Sequence, residues 1–362
     1  MREYLKNNRS ALSFLFIIVI VVFVNIFPRT DVPIINWLVP PQFDSAYRFS
    51  DNYGVIERGG TLYLVDKHGK FQIIENYDLS MNPKDTVEII PPCAYAAEGS
   101  IALVSRKDHK WHYLRTCDLS EIPGAWEYAT PFNGGIAVVA NKENKYYTLA
   151  PHGKILFELP PCDEFGQKYQ ERMLRAKSGG KWGFINSEGK WAIPAKYDGC
   201  WNFSKGIAWV LDNDQWLALK KDGSVITSIP TKNGEISWAK GARAIIESEA
   251  EWSLFDAYNG YLFTKRGIVQ SIIDMNEPFC ASRESGLWHY VGIDGREISK
   301  EEYEHAEPFY NGYAVIEREN KYGVINKNGR LVVPIVLEGA GIAAEDIIPA
   351  SVKGKWGYIK LN

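Results

Sequence analysis

One motif returns along the chain about every 35 residues, most fully as Lys181-Trp182-Gly183-Phe184-Ile185-Asn186-Ser187-Glu188-Gly189. A repeat of that length means a stack of small units, none able to bury its apolar face alone. Aligned on the aromatic of the motif, the anchors are Leu62, Trp111, Tyr146, Trp182, Trp216, Trp252, Trp288, Tyr322 and Trp356. The spacings are 49, 35, 36, 34, 36, 36, 34 and 34, and an insertion at 75–92 lengthens the first. Nine units are therefore expected over 37–362.

Seven or eight residues after the anchor comes a turn, as at His68-Gly69, Glu188-Gly189, Asp222-Gly223, Asp294-Gly295 and Asn328-Gly329. Asn-Gly and Asp-Gly between apolar runs are strong hairpin signals, because glycine accepts positive φ. Only the second unit lacks this glycine, with Cys117-Asp118 in its place. The run after the turn ends in proline, as in Trp191-Ala192-Ile193-Pro194 and Leu331-Val332-Val333-Pro334. Proline donates nothing to a ladder, so it is read as the strand's end. A further strand precedes the anchor, introduced by Phe-x-x-Gly, as in Phe203-Ser204-Lys205-Gly206-Ile207-Ala208. Each unit is thus expected to be a three-stranded antiparallel meander. The anchors Trp111, Tyr146, Trp182, Trp216, Trp252, Trp288, Tyr322 and Trp356 are expected to pack between units, with alternate alanines leaving room for them.

The phase of the two ends bears on the architecture. Trp37-Leu38-Val39-Pro40 through Phe49 matches Trp191-Ala192-Ile193-Pro194 through Phe203, so the array opens on the third strand of a unit. The chain ends after Lys355-Trp356-Gly357-Tyr358, the second strand of a unit whose third is missing. Pairing the two would close a propeller-like ring and remove an open edge. The alternative is an open β superhelix.

In its Trp-Gly pairs the chain resembles the WG repeat family. The resemblance runs from Trp37 to Asn362 and is most specific in 179–203, 303–334 and 353–358. It weakens where Tyr63, His112, Ser253 and His289 replace the glycine after the anchor. The resemblance implies an interaction role.

Ahead of the repeats, 11–27 is an uncharged apolar run preceded by Arg2, Lys6 and Arg9. As a helix it would span roughly 26 Å, close to a hydrocarbon core of about 30 Å. The basic flank predicts a single-pass signal-anchor, with 1–10 cytoplasmic, 28–36 a linker, and the repeats on the periplasmic or extracellular side. Signal-peptide cleavage would need small residues after the run, and Asn25-Ile26-Phe27-Pro28-Arg29 is bulky.

The formal net charge is −3, with no basic block beyond the N-terminus, so nucleic acid is not an expected partner. The 5 Cys form no Cys-x-x-Cys pair, so a zinc site is unsupported. His109 and His112 would face opposite sides of a strand and cannot share a metal there. Carboxylate pairs such as Asp163-Glu164, Glu301-Glu302 and Glu345-Asp346 fall at turns between units. Neither a phosphate-binding loop nor a nucleophile elbow occurs, and no cofactor is expected. Off-register aromatics, Trp201, Trp209, Phe165 and Tyr310, are the candidates for a binding surface. The expectation is a non-enzymatic, membrane-anchored scaffold presenting a surface to a protein or cell-wall partner. An envelope hydrolase or lyase acting on polysaccharide or peptide is the alternative.

Overall fold

The computed structural model describes residues 35–361 apart from 80–96, 167, 250, 270–276 and 283–284. These residues form one compact unit. The expected helix at 11–27 and most of the insertion at 75–92 lie outside the described residues. No helix among the described residues is long and apolar enough to cross a membrane.

The strands assemble into nine antiparallel sheets among the described residues, eight four-stranded and one two-stranded. We number them blades 1–9: 45–74, 77–126, 128–158, 164–197, 199–230, 235–266, 279–291, 305–337, and 339–360 completed by Trp37–Phe43. The expected three-stranded meander is present in every four-stranded blade, but a fourth strand precedes it. This extra strand is usually two residues long, as at Ser45–Ala46 and Gly199–Cys200. Two residues are too few to show a period of two in the sequence.

Trp37–Phe43 pairs antiparallel with Lys355–Lys360, with Trp37 opposite Ile359 and Phe43 opposite Trp356. The chain's first strand therefore supplies the piece its last unit lacks. Apolar clusters then join each blade to the next, from blades 1 and 2 onward. A ninth cluster joins blade 9 back to blade 1 through Val39, Phe43, Phe49, Ile56, Ile347 and Tyr358. The array is closed on itself.

The anchor is not the core of every joint. Trp111, Trp216 and Trp252 are buried, but Tyr146, Trp182, Trp288, Tyr322 and Trp356 are only half-buried. In blades 2, 4, 7 and 9 a fully buried ring sits two residues further on. Tyr113–Phe132, Phe184–Phe203 and Tyr290–Phe309 meet at 4.9, 4.7 and 4.8 Å between ring centroids, each pair 19 residues apart. Tyr358–Phe49 repeats the contact at 4.8 Å across the chain ends. The phenols also match. Tyr113 donates to the Thr130 carbonyl at 2.6 Å, Tyr290 to Glu307 at 2.7 Å, and Tyr358 to Tyr47 at 2.7 Å. The seam thus uses the same side chains as the interior joints.

The prolines read as strand ends lie inside strands instead. In blades 4, 8 and 9 two residues of the second strand oppose four of the third: Trp182 and Phe184 face Tyr197 and Ile193, Tyr322 and Val324 face Leu337 and Val333, and Trp356 and Tyr358 face Phe43 and Val39. Pro194, Pro334 and Pro40 occupy these bulges, where the ladder no longer needs their missing N–H. The bulge folds backbone onto the glycine after the anchor. A Cβ on Gly357 would lie 2.2 Å from the Val39 carbonyl, and one on Gly183 would lie 2.6 Å from that of Ile193. The Trp-Gly pair is therefore a packing requirement of the bulged strand.

Candidate functional site

The sequence pattern places a turn at Phe-x-x-Gly, as at 132–135, 203–206 and 309–312, and the structure shows seven turns of that shape, including four without the motif. Each is closed by a bridge between residues three apart: Ser50 to Tyr53, Ala97 to Ser100, Asn133 to Ile136, Gln170 to Met173, Ser204 to Ile207, Tyr310 to Tyr313 and Ala344 to Ile347. Their two central residues have positive φ, as in Asp51-Asn52, Glu171-Arg172, Asn311-Gly312 and Glu345-Asp346. Paired positive φ is the mark of the type I′ hairpin.

Carboxylates at the first turn position reach to the turn of the next blade. Glu345 accepts the Asn52 N–H at 2.8 Å, and Asp51 accepts Gly99 at 2.5 Å. The two oxygens of Glu98 accept Gly134 and Gly135 at 2.6 and 2.8 Å, and Glu171 accepts Gly206 at 2.9 Å. The run from blade 9 to blade 3 crosses the seam without a break. Sequence reasoning missed these clamps, although an acid at the first turn position was visible at Asp51, Glu98, Glu171 and Glu345. The turn acids Asp163 and Glu345 are likewise engaged, Asp163 by the Gly180 N–H at 2.9 Å. Glu301 pairs with the Arg318 guanidinium.

The four off-register aromatics fare differently. Trp209 is a correction: it is 1 % exposed and donates its indole N–H to the Gly241 carbonyl at 3.0 Å. It faces Ala218 across the sheet. Ala218 occupies the slot filled by Phe184 or Tyr358 in other blades, so the large ring has moved to the partner strand. Trp201 is half-buried, its ring 5.3 Å from that of Trp238 in blade 6. Phe165 is half-buried against Tyr146 at 4.8 Å. Tyr310 is half-buried, and the Arg48 guanidinium lies 5.5 Å from its ring centroid. The structure brings no two of these four together except Trp201 and Trp209, which share a backbone hydrogen bond of 2.8 Å.

His109 is exposed in a turn at φ 58, whereas His112 faces the joint between blades 1 and 2. His112 Nε2 lies 3.0 Å from an Asp108 oxygen, and Nδ1 lies 3.8 Å from Glu121. Tyr77 donates to the same Glu121, and burial with that bond drives its phenol pKa upward. His305 lies 2.9 Å from Glu307. Among the described residues no cluster of three or more His, Cys, Asp or Glu is arranged to hold a metal.

A closed ring of small antiparallel sheets, each built from one repeat, defines a propeller-like repeat protein. The chain is a WG repeat-containing protein: the WG containing repeat family matches residues 36–61, 182–216, 290–322 and 322–356. No curated protein matches it. Among solved structures, a eukaryotic initiation factor aligns with TM-score 0.50 at 13% identity, over 71% of this chain and 77% of that one. That likeness is one of fold alone. BamB from Moraxella catarrhalis aligns with TM-score 0.42 at 9% identity, over 89% and 97%, and Kluyveromyces lactis Hsv2p with 0.41 at 9%, over 74% and 94%.

Proposed function

We propose that this chain is a membrane-tethered recognition scaffold whose ring presents turn side chains to a protein or cell-wall partner outside the cytoplasm. The observation that carries this reading is the set of equivalent turns. One backbone shape recurs at Asp51-Asn52, Gly134-Gly135, Glu171-Arg172, Lys205-Gly206 and Asn311-Gly312, with different side chains each time. Such a surface keeps its geometry while its chemistry varies from blade to blade, as extended binding surfaces of repeat proteins do. The tether is the apolar run 11–27, with Arg2, Lys6 and Arg9 holding the N-terminus in the cytoplasm.

The test is proximity labelling and cross-linking of the full chain in its native membrane, with charge reversals at Lys205 and Arg172. One recurrent partner whose recovery drops with these changes supports the reading. A purified chain that turns over a polysaccharide or peptide, with no partner recovered, overturns it.

A further inference from the structure

The hairpin of blade 1 carries chemistry the repeat does not need. Its tip is Asp66-Lys67-His68-Gly69-Lys70 and its last strand is Phe71–Ile74. Phe71 and Ile73 are 39% and 53% exposed on the same side of that strand. Phe71 is held in place, stacked 5.5 Å from the buried Phe43 ring. Lys67, His68 and Lys70 are exposed beside it. The Asp66 carboxylate is turned to the His68 and Lys70 N–H groups at 2.8 and 2.9 Å. Lys67 reaches the Asn52 amide oxygen at 3.4 Å, and neither lysine forms an ion pair among the described residues. The nearest acids by way of Asn52, which are Asp51 and Glu345, are committed to backbone N–H groups of the blade-to-blade clamps, those of Gly99 and Asn52. Cations at a tip beside exposed phenylalanine and isoleucine are the chemistry of an interfacial membrane contact.

Position favours this hairpin over exposed strands across the ring, and its cations, without ion pairs among the described residues, distinguish it from blade 8, where Lys327 is paired with Glu277. The Gly69 turn rests on Leu38, the second residue of the strand with which the ring begins, and a Cβ there would lie 3.1 Å from the Leu38 carbonyl. Only 28–36 separates that strand from the apolar run, a stretch reaching at most about 30 Å. On the tether reading the linker's length keeps blade 1 within reach of the bilayer, whereas blade 5, with Val225 54% exposed, is four or five blades away around the ring. We infer that Lys67, Lys70, Phe71 and Ile73 dock the ring onto an anionic bilayer surface. The docking rests on the tether reading for its proximity.

The test uses the full chain in phosphatidylcholine vesicles with and without phosphatidylglycerol. A photo-cross-linking amino acid replaces Phe71 in one sample and Val225 in the other. Lipid adducts are expected at position 71 and not at 225. The pair K67Q and K70Q should lower the yield at least about fivefold in the anionic vesicles, with an unchanged thermal midpoint showing that the ring is intact. No adduct at 71, or equal yields at 71 and 225, overturns the proposal. Alkaline extraction of the same vesicles reports separately on the tether: a chain that washes off while its anionic-lipid adducts at 71 persist refutes the anchor and leaves the docking surface standing.

Discussion

Blades 4, 8 and 9 and blades 1, 5 and 6 solve the same packing problem in opposite ways. In the first group the third strand carries Pro194, Pro334 or Pro40 in a bulge, and only Gly183, Gly323 or Gly357 fits beneath it. In the second group the residue after the anchor is Tyr63, Leu217 or Ser253, and its pairing with Ile73, Ser228 or Thr264 is free of that bulge. Glycine and proline therefore come and go together, on different strands of one blade. Blade 2 tests the rule from a third side. It has the bulge and Pro123, but His112 stands in the glycine slot, and the glycine has moved to Gly124 at φ 127 within the bulged strand. The Trp-Gly signature thus records a backbone contact and not a ligand.

The largest effect that would sharpen this comparison lies at the ring two residues past the anchor. Phe184→Ala should cost about 3–5 kcal/mol in denaturant unfolding, since a fully buried ring leaves a cavity. Trp182→Ala should cost clearly less, because that ring is half-buried. Equal losses would return the core role to the anchor.

Next comes the glycine itself. Gly357→Ala should destabilise by about 2–3 kcal/mol, because the contact is with backbone that cannot rotate away. Ser253→Ala, at the same position of a blade without the bulge, meets no backbone clash and should cost only about 1 kcal/mol, for the lost hydrogen bond to Thr264. Similar costs at both sites would break the glycine–proline coupling.

A pH series distinguishes blades with tyrosine in the core slot from those with phenylalanine. Burial raises the phenol pKa of Tyr290 and Tyr358 above the unfolded value of about 10. A raised folded pKa means that the folded state keeps its proton longer. The stability this contributes is complete below pH about 10 and is lost as pH rises toward the folded pKa. Tyr358→Phe should flatten the alkaline fall of the thermal midpoint, and an unchanged alkaline slope would contradict the burial. The smallest effect expected is at the seam clamp, where Glu345→Gln should cost about 0.5–1 kcal/mol near neutral pH. Loss of the charge weakens a hydrogen bond that the amide oxygen can still accept.

Much of this was legible in the sequence, for stated reasons. The period, the turn glycines and the phase of the two ends follow from local rules, and the matching of Trp37 with Trp191 anticipated the strand that closes blade 9. What escaped depends on the partner strand. Trp209 reads as a surplus aromatic until Ala218 is seen opposite it. Pro194 reads as a terminus until the bulge is known. Leu119 takes the turn-glycine role of blade 2 at φ 58, which no glycine rule would have found. The candidate surface was the least legible part, because Trp201, Phe165 and Tyr310 each owe their setting to a neighbouring blade or to a distant loop.

The closed ring is tested most directly by a distance between spin labels at the exposed positions Gln42 and Lys353 in the full chain. Gln42 lies on the strand that pairs with Lys355–Lys360, and Lys353 lies in the turn leading into Lys355–Lys360. The labels should therefore give one narrow distribution below about 20 Å, since neighbouring strands lie about 4.8 Å apart. Nine sheets stacked about 10 Å apart without closure would separate the same labels by about 80 Å, and a distribution centred there would contradict the ring.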